Sequence, residues 1–286
     1  MNEPKHVAVI GLPESGKTTF LAALWHLVTE RDLPTSLKFG SLGKGDSSHL
    51  NAIAARWRSA KVQERTRIAG NRTVAMNLLD AANNTVKVTF PDTAGEAYQQ
   101  IWEDRECDLV VSDACRTGNF LLFIHADNIE SPNWLVDEID LAQKLGLPVP
   151  DNKVVEWHPR LSPTQVQLVD ILQLLQDDPL AVGPRKLGIM LSAWDKAEGE
   201  GLNPTEFLKS KLPLLAQYLD GPTGWDVRVY GLSAQGGDYD RNEEGAAKLA
   251  RAQELRDLDK ASTRIRLVQE GAETHDLTAP LVWLTE

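Results

Sequence analysis

Short runs of aliphatic and β-branched residues recur along the chain, and between them apolar positions fall three and four apart, the pattern of strands alternating with helices. His6-Val7-Ala8-Val9-Ile10 is the first run. It passes at once into a glycine-bearing turn, Gly11 to Gly16, and then into Thr18 to Glu30. There Leu21, Leu24, Leu27 and Val28 share one helical face, and Pro34 bars continuation. A second helix is expected from Ser48 to about Lys61. Thr73 to Leu79 and Thr85 to Phe90 read as strands, joined by a turn, Asp80 to Asn84, short enough to force an antiparallel hairpin. Asn119 to His125 is a further buried strand.

Two later helices open alike. Ser131-Pro132 precedes a pattern ending near Gly146, and Ser162-Pro163 precedes one ending near Asp178, each pairing an N-cap serine with proline at the first helical position. Leu187 to Leu191 predicts a strand, Asn203 to Leu219 a helix, Val227 to Leu232 a strand and Glu243 to about Lys260 a charged helix. Arg264 to Gln269 fits a short strand. Leu277 to Leu284 fits either a final helix or an extended segment. Alternating strands and helices predict an α/β fold with a mostly parallel sheet and one antiparallel strand. One enlarged domain is expected over residues 1–286, with a helical insert at about 129–182.

Composition narrows the partners. With 42 % hydrophobic and 25 % charged residues the 286-residue chain sits in the globular range. Lys and Arg total 30 against 41 Asp and Glu, and a net charge of −11 gives no general attraction for nucleic acid or an anionic membrane, so neither is expected as a partner. Two cysteines, Cys107 and Cys115, and six histidines fall at no metal-ligand spacing. The first residues lack a signal-peptide pattern, and the longest strongly apolar run, Phe120 to Ile124, is far short of a membrane span. A cytoplasmic protein is expected.

The chemistry starts at Gly11-Leu12-Pro13-Glu14-Ser15-Gly16-Lys17-Thr18, which matches the phosphate-loop pattern G-x-x-x-x-G-K-[ST] with a strand before it and a helix after it. Backbone N–H groups of such a loop and the positive end of the helix surround phosphates. Lys17 reaches the β and γ groups, and Thr18 offers its hydroxyl to Mg²⁺. Gly11, Glu14, Ser15, Gly16, Lys17, Thr18 and Thr19 are the expected phosphate-side contacts.

Three later segments each close a predicted strand: Pro91-Asp92-Thr93-Ala94-Gly95-Glu96, Ser192-Ala193-Trp194-Asp195-Lys196 and Ser233-Ala234-Gln235. In an open parallel sheet the carboxyl ends of strands form the ligand crevice, so all three can converge on one nucleotide. In this order and context the sequence resembles the Ras-like P-loop GTPases of the translation-factor-related (TRAFAC) class. The resemblance implies that Asp92 holds Mg²⁺ through water and that the Gly95 amide bonds the γ-phosphate. It further implies that Asp195 accepts from the guanine ring N–H and amino group, and that the Ser233-Ala234 backbone meets the guanine carbonyl. GTP or GDP with Mg²⁺ is the implied ligand. A switch threonine ligating Mg²⁺ is implied between the first helix and the hairpin, with Thr66 the first choice and Thr73 the second. Arg65 and Arg67 beside Thr66 are either a cis arginine finger or solvated loop charges.

Two departures from the Ras-like pattern carry weight. The guanine segment is normally Asn-Lys-x-Asp, and here Ala193 replaces a lysine whose stem covers the base; Trp194 either compensates or packs in the core. The residue after Asp-Thr-Ala-Gly is normally a glutamine that orients the attacking water. Here it is Glu96, which either takes that catalytic role beside Lys17 or caps the helix expected from about Ala97 to Glu106. A carboxylate near developing negative charge implies slow hydrolysis.

The loop Gly-Leu-Pro-x-Ser-Gly-Lys-Thr-Thr-Phe, Trp57, the Phe-Leu-Leu-Phe strand and Pro280-Leu281-Val282-Trp283-Leu284 are similar to the bacterial double-GTPase proteins of conflict and defence systems. That resemblance implies a molecular switch acting on a protein partner, an effector or a second GTPase. A non-hydrolysing nucleotide-bound scaffold and a phosphate-loop ATPase are the alternatives. Between 131 and 180 eight acidic residues meet three basic ones, and Val166, Leu168, Val169, Ile171, Leu172, Leu174 and Leu175 exceed a single helical stripe. Either two-sided burial consumes them, or one face is left for the partner.

Overall fold

The computed structural model describes residues 4–63, 73–91, 95–132, 139, 142–146, 156–241 and 248–286. Among them one sheet has the order β2-β3-β4-β1-β5-β6-β7-β8-β9. The strands are β1 (Lys5–Gly11), β2 (Lys38–Lys44), β3 (Val74–Leu79), β4 (Thr85–Phe90), β5 (Asn119–His125), β6 (Arg185–Ser192), β7 (Trp225–Ser233), β8 (Arg266–Gln269) and β9 (Ala272–Thr274). β4, β1, β5, β6 and β7 run parallel to one another, with Val7 opposite both Val88 and Asn119, and Leu122 opposite Ile189. The β3–β4 hairpin is antiparallel as expected.

Where one antiparallel strand was expected there are two, because β8 also runs against its neighbour β7. β8 turns back into β9 through Glu270 and Gly271, both at positive φ (46° and 84°), the conformation of a tight hairpin turn. β2 is the least legible strand: two glycines and two lysines in seven residues break the alternation, and its pairing with β3 shifts register twice. It is an exposed edge strand, where little burial is needed to hold the pattern.

Alternation along the parallel strands feeds two cores, one on each face. Val7, Val9, Leu121 and Phe123 point to the face covered by α1 (Lys17–Glu30), α2 (Ser47–Arg58) and the C-terminal helix; Ala8, Ile10, Phe120, Leu122 and Ile124 point to the other. That second face is covered by α3 (Glu96–Asp104), α4 (Leu109–Thr117), α5 (Thr164–Gln176), α6 (Pro204–Lys211) and α7 (Pro213–Asp220). The helix expected over Asn203 to Leu219 is thus two, since Pro213 lacks an N–H and pushes Leu212 out of helical geometry (φ −130°, ψ 55°). α6 opens with a complete capping box, Asn203 and Glu206 each bonding the other's backbone N–H. Of the helix expected over Glu243 to Lys260, the described residues show α8 (Ala250–Arg256).

The chain ends in α9 (Ala279–Thr285), deciding for a helix over an extended tail. Its last carbonyls are taken by side chains at the amino ends of three parallel strands: Lys186 donates to Trp283 at 3.0 Å, Asn119 to Leu284 and Lys5 to Thr285. Helix C-termini leave such carbonyls without intrahelical donors, and here three strands supply them.

Between β5 and β6, α5 buries Leu168, Ile171, Leu172 and Leu175, while Val166, Val169 and Leu174 rest half-buried against the same core. All seven are consumed, so the free face considered from the sequence is not there. Most of the expected helix after Ser131-Pro132 lies outside the described residues.

Candidate functional site

The carboxyl ends of β1, β5, β6 and β7 meet at one edge of the sheet, and the phosphate loop crosses it. Gly11 and Gly16 take φ of 148° and 95°, and the close packing shows why glycine stands there. A Cβ on Gly11 would lie 2.7 Å from the Phe123 carbonyl, and one on Gly16 would lie 2.7 Å from Ser192 Oγ. Glu14 also sits at positive φ (60°), so the loop curls back on itself before α1 begins.

Lys17 is 2 % exposed, and its ammonium donates to the carbonyls of Gly11 and Leu12, each at 2.8 Å, and to Ser15 Oγ at 3.2 Å. Three oxygens thus hold a buried cation at the loop's rim. Thr18 and Thr19 follow in the first turn of α1. From the Asp-Thr-Ala-Gly segment, Gly95 (φ 86°) is seated on the same spot: a Cβ there would lie 2.6 Å from Lys17 Nζ and 2.7 Å from the Leu12 carbonyl carbon. The glycine of Asp-Thr-Ala-Gly and the lysine of the phosphate loop, 78 positions apart in sequence, are brought together.

Glu96 follows as the exposed first residue of α3, where the helix dipole favours a carboxylate. Asp92 and Thr66, the other expected magnesium ligands, lie outside the described residues, as do Arg65 and Arg67. Thr73, the second choice for the switch threonine, is 7 % exposed and donates to the Pro91 carbonyl at 3.1 Å, tying the start of β3 to the end of β4. Among the described residues no group of three His, Cys, Asp or Glu side chains forms a metal cage. The hard oxygens of Thr18 and Asp92 are of the kind Mg²⁺ takes when phosphate and water complete its shell, and β4, the strand before Asp92 in sequence, runs directly beside β1.

Beyond the phosphate loop lies a cleft of about 270 Å³ walled by Gly16, Thr19, Ser192, Ala193, Asp195 and Ala234, with Lys196 and Asp238 at its rim. Ala193 holds a left-handed conformation (φ 52°), which turns the chain sharply out of β6 into the helical turn Trp194–Ala197 and presents Asp195 to the cleft. Ser233 is 1 % exposed and donates to Asp195 Oδ1 at 2.7 Å, fixing that carboxylate. Its Oγ also accepts from the Gly236 N–H at 3.2 Å. Asp195, Ser233 and Ala234 therefore come together as the sequence suggested.

Trp194 does not face the cleft. It is 2 % exposed, packs edge-on against Phe207 with centroids 5.4 Å apart, and lies so close to Gly231 that a Cβ there would touch its ring at 2.4 Å. It is a core residue.

Other contacts here had no signal in sequence. Ser192 Oγ donates to the Ser15 carbonyl at 2.8 Å, so the end of β6 props the phosphate loop. His125, at the end of β5, borders both this cleft and a second one beside Leu12 to Ser15; burial holds its imidazole below the usual range. The Ala234 carbonyl accepts from the Trp57 indole at 2.8 Å. Arg264, 3 % exposed, stacks over Trp57 and donates to the carbonyls of Trp57 and Leu255 and to the Tyr239 hydroxyl, fixing the loop after β7 from behind.

A strand–loop–helix phosphate cradle, with a serine-fixed aspartate beyond it at the carboxyl ends of parallel strands, defines a phosphate-loop nucleotide-binding protein of the GTPase type. The sequence matches the family model of Double-GTPase 1 over residues 8–284, and the chain belongs to that family of GTP-binding GTPases. No curated protein matches it.

Three solved structures give the range of resemblance. A complex of SsGBP with GDP is 14 % identical, with a TM-score of 0.34, 82 % of this chain and 45 % of that one covered. A putative nucleolar GTP-binding protein 1 from Plasmodium falciparum is 11 % identical, with a TM-score of 0.36 and 90 % and 86 % covered. Sup35 complexed with GMPPNP is 14 % identical, with a TM-score of 0.33 and 90 % and 46 % covered. The chain spans about half the length of the SsGBP chains it matches. Among the described residues no helix is long and apolar enough to cross a membrane.

Proposed function

We propose that this protein is a Mg²⁺-dependent, GTP-binding molecular switch with slow intrinsic GTP hydrolysis, built as one enlarged GTPase domain. The observation that carries the reading is the Ser233–Asp195 hydrogen bond at 2.7 Å, in the same cleft as Gly16 and Thr19 of the phosphate loop and its helix. It holds two carboxylate lone-pair directions toward a base that presents adjacent N–H donors, and guanine presents them where adenine does not.

Each residue then has a task. The loop from Gly11 to Gly16 wraps the phosphates with backbone N–H groups; Lys17 exchanges its carbonyl partners for phosphate oxygens, a stronger charge-assisted bond. Thr18 and Asp92, with Thr66, are the residues to hold Mg²⁺, which neutralises charge on the β- and γ-phosphates when bound. Gly95 presents its amide to the γ-phosphate, so the start of α3 senses whether that group is there. Glu96, repelled by it, makes a poor orienter of water, and turnover is slow. In this reading the output goes to a protein partner, an effector or a second GTPase, within a bacterial multi-gene conflict or defence system in the cytoplasm.

Competition binding tests the base preference: GTP and GDP should bind at least about tenfold tighter than ATP, a gap of roughly 1.4 kcal/mol, and Asp195→Asn should erase that preference. Equal affinity of the unaltered protein for ATP and GTP would sink the guanine assignment. Single-turnover assays separate a slow enzyme from a nucleotide-bound scaffold.

A further inference from the structure

At the base end of the cleft the recognition segment has one lining side chain without a task so far, that of Lys196. A purine held by its edge at Asp195 leaves two broad faces, and binding gains from covering them. Ala193 offers only a methyl group there, and Trp194 is turned into the core. The remaining wall beyond the phosphate loop is Asp127, Ser192, the buried Leu232, Ala234, Gln235, Gly237 and Asp238, none with a stem as long as a lysine's. His125 stands at the phosphate end, since it also borders the cleft beside Leu12 to Ser15. The long aliphatic stem at the base end is that of Lys196, the residue after Asp195, whose ammonium donates to Asp238 Oδ1 at 2.7 Å.

That pairing joins the two recognition segments across the mouth of the cleft. Its acceptor is set by a well-fixed loop. Before it, the Gly236 carbonyl accepts from Arg251 at 2.8 Å and 3.0 Å, and a Cβ on Gly237 would lie 2.8 Å from the Arg251 side chain. After it, Tyr239 is 5 % exposed with its hydroxyl bonded by Arg264. On the other side, the Lys196 backbone is pinned by its N–H to the Ala193 carbonyl at 3.0 Å. A flexible four-carbon stem is thus stretched between two rigid points.

We propose that the Lys196–Asp238 pair is a latch over the base: the Lys196 stem covers one face of the bound purine, and Asp238 holds it there, slowing nucleotide release. This rests on the guanine-site reading above. The side chains are 39 % and 63 % exposed, and an ion pair so open to water adds little to folding. Its consequence is therefore in the dissociation rate and leaves thermal stability alone.

Release of a fluorescent GDP analogue after a chase with unlabelled GDP tests the latch in the unaltered protein, Lys196→Ala, Lys196→Met and Asp238→Ala. Lys196→Ala should speed release about tenfold, the scale of exposing most of an aliphatic stem. Lys196→Met, which keeps an apolar stem and loses the bond to Asp238, and Asp238→Ala, which keeps the stem and loses its anchor, should both fall between the parent and Lys196→Ala. Binding of inorganic pyrophosphate, which has no base, should be the same in all four, and so should the melting temperature. Unchanged release in Lys196→Ala, or equal acceleration in Lys196→Ala and Lys196→Met, overturns the latch while leaving the guanine site standing. A parent protein that binds pyrophosphate and not GDP overturns both.

Discussion

The Trp57 indole donates to the Ala234 carbonyl at 2.8 Å, joining α2 to the loop that follows β7 across 177 positions of sequence. The bond consumes an oxygen that would otherwise face inward unpaired. Trp57 is fully buried, with the Arg264 guanidinium 4.7 Å over its ring and the tilted His26 ring 5.0 Å away. Trp57→Phe keeps most of the packing and orphans the carbonyl, so it should cost about 1–3 kcal/mol of unfolding free energy and weaken GDP binding. Urea denaturation and GDP titration on the same variant check both halves.

Gly95→Ala should disable the sensing of the third phosphate. The new methyl would collide with Lys17 Nζ and the Leu12 backbone, and the residue would carry a φ of 86° that costs an L-residue about 1–2 kcal/mol. GTP affinity is expected to fall by at least about tenfold, with GDP affected less. Titrating both nucleotides decides it; equal affinity for each, at the parental level, would contradict the placement of Gly95 at the phosphate site.

Glu96→Gln should leave single-turnover GTP hydrolysis unchanged or faster, from a parental rate of about 10⁻³ per second or below. A tenfold loss with GTP binding intact would instead assign Glu96 a catalytic role.

Acid should weaken the fold from about neutral pH downward. Burial holds the His26 imidazole below its unfolded value of 6.5, against the opposing pull of Asp32 and Glu30. Folded His26 stays neutral while the unfolded chain takes up a proton, so this contribution is complete above pH 6.5 and is lost as pH falls toward the depressed folded value. His125 is depressed for the same reason and adds to the slope. His26→Gln should flatten part of the decline in melting temperature between pH 7 and 5, and an identical decline would exclude His26 as a source.

The phosphate loop and the base segment were legible because both place chemistry at strand ends, where position follows from topology once the strands are read. Gly11, Gly16 and Gly95 announce close approaches by being glycine. Asp195 and Ser233 announce only a family order, and their hydrogen bond had no independent sign. Lys196, Asp238 and Ser192 were invisible as partners because nothing in local sequence says which loops face one another across a sheet edge. β2 was missed because an exposed edge strand need not alternate, and the break at Pro213 was missed because the apolar period runs through it unbroken. Trp194 was readable only as two options, and the bare Cα of Gly231 beneath its ring shows which was taken.

The three strand side chains that close the end of α9 bear on how the chain folds as it is made. Lys5, Asn119 and Lys186 are all made before α9, and all three wait for carbonyls at residues 283 to 285. Until those last residues emerge, Leu281 and Leu284 are missing from the core between the sheet and α1, and Gly188 leaves that surface bare. Nascent chains stalled before Ala279 should therefore remain open to protease and to chaperones, and the nucleotide cleft at the opposite ends of these strands should form only once residues 279–285 have emerged.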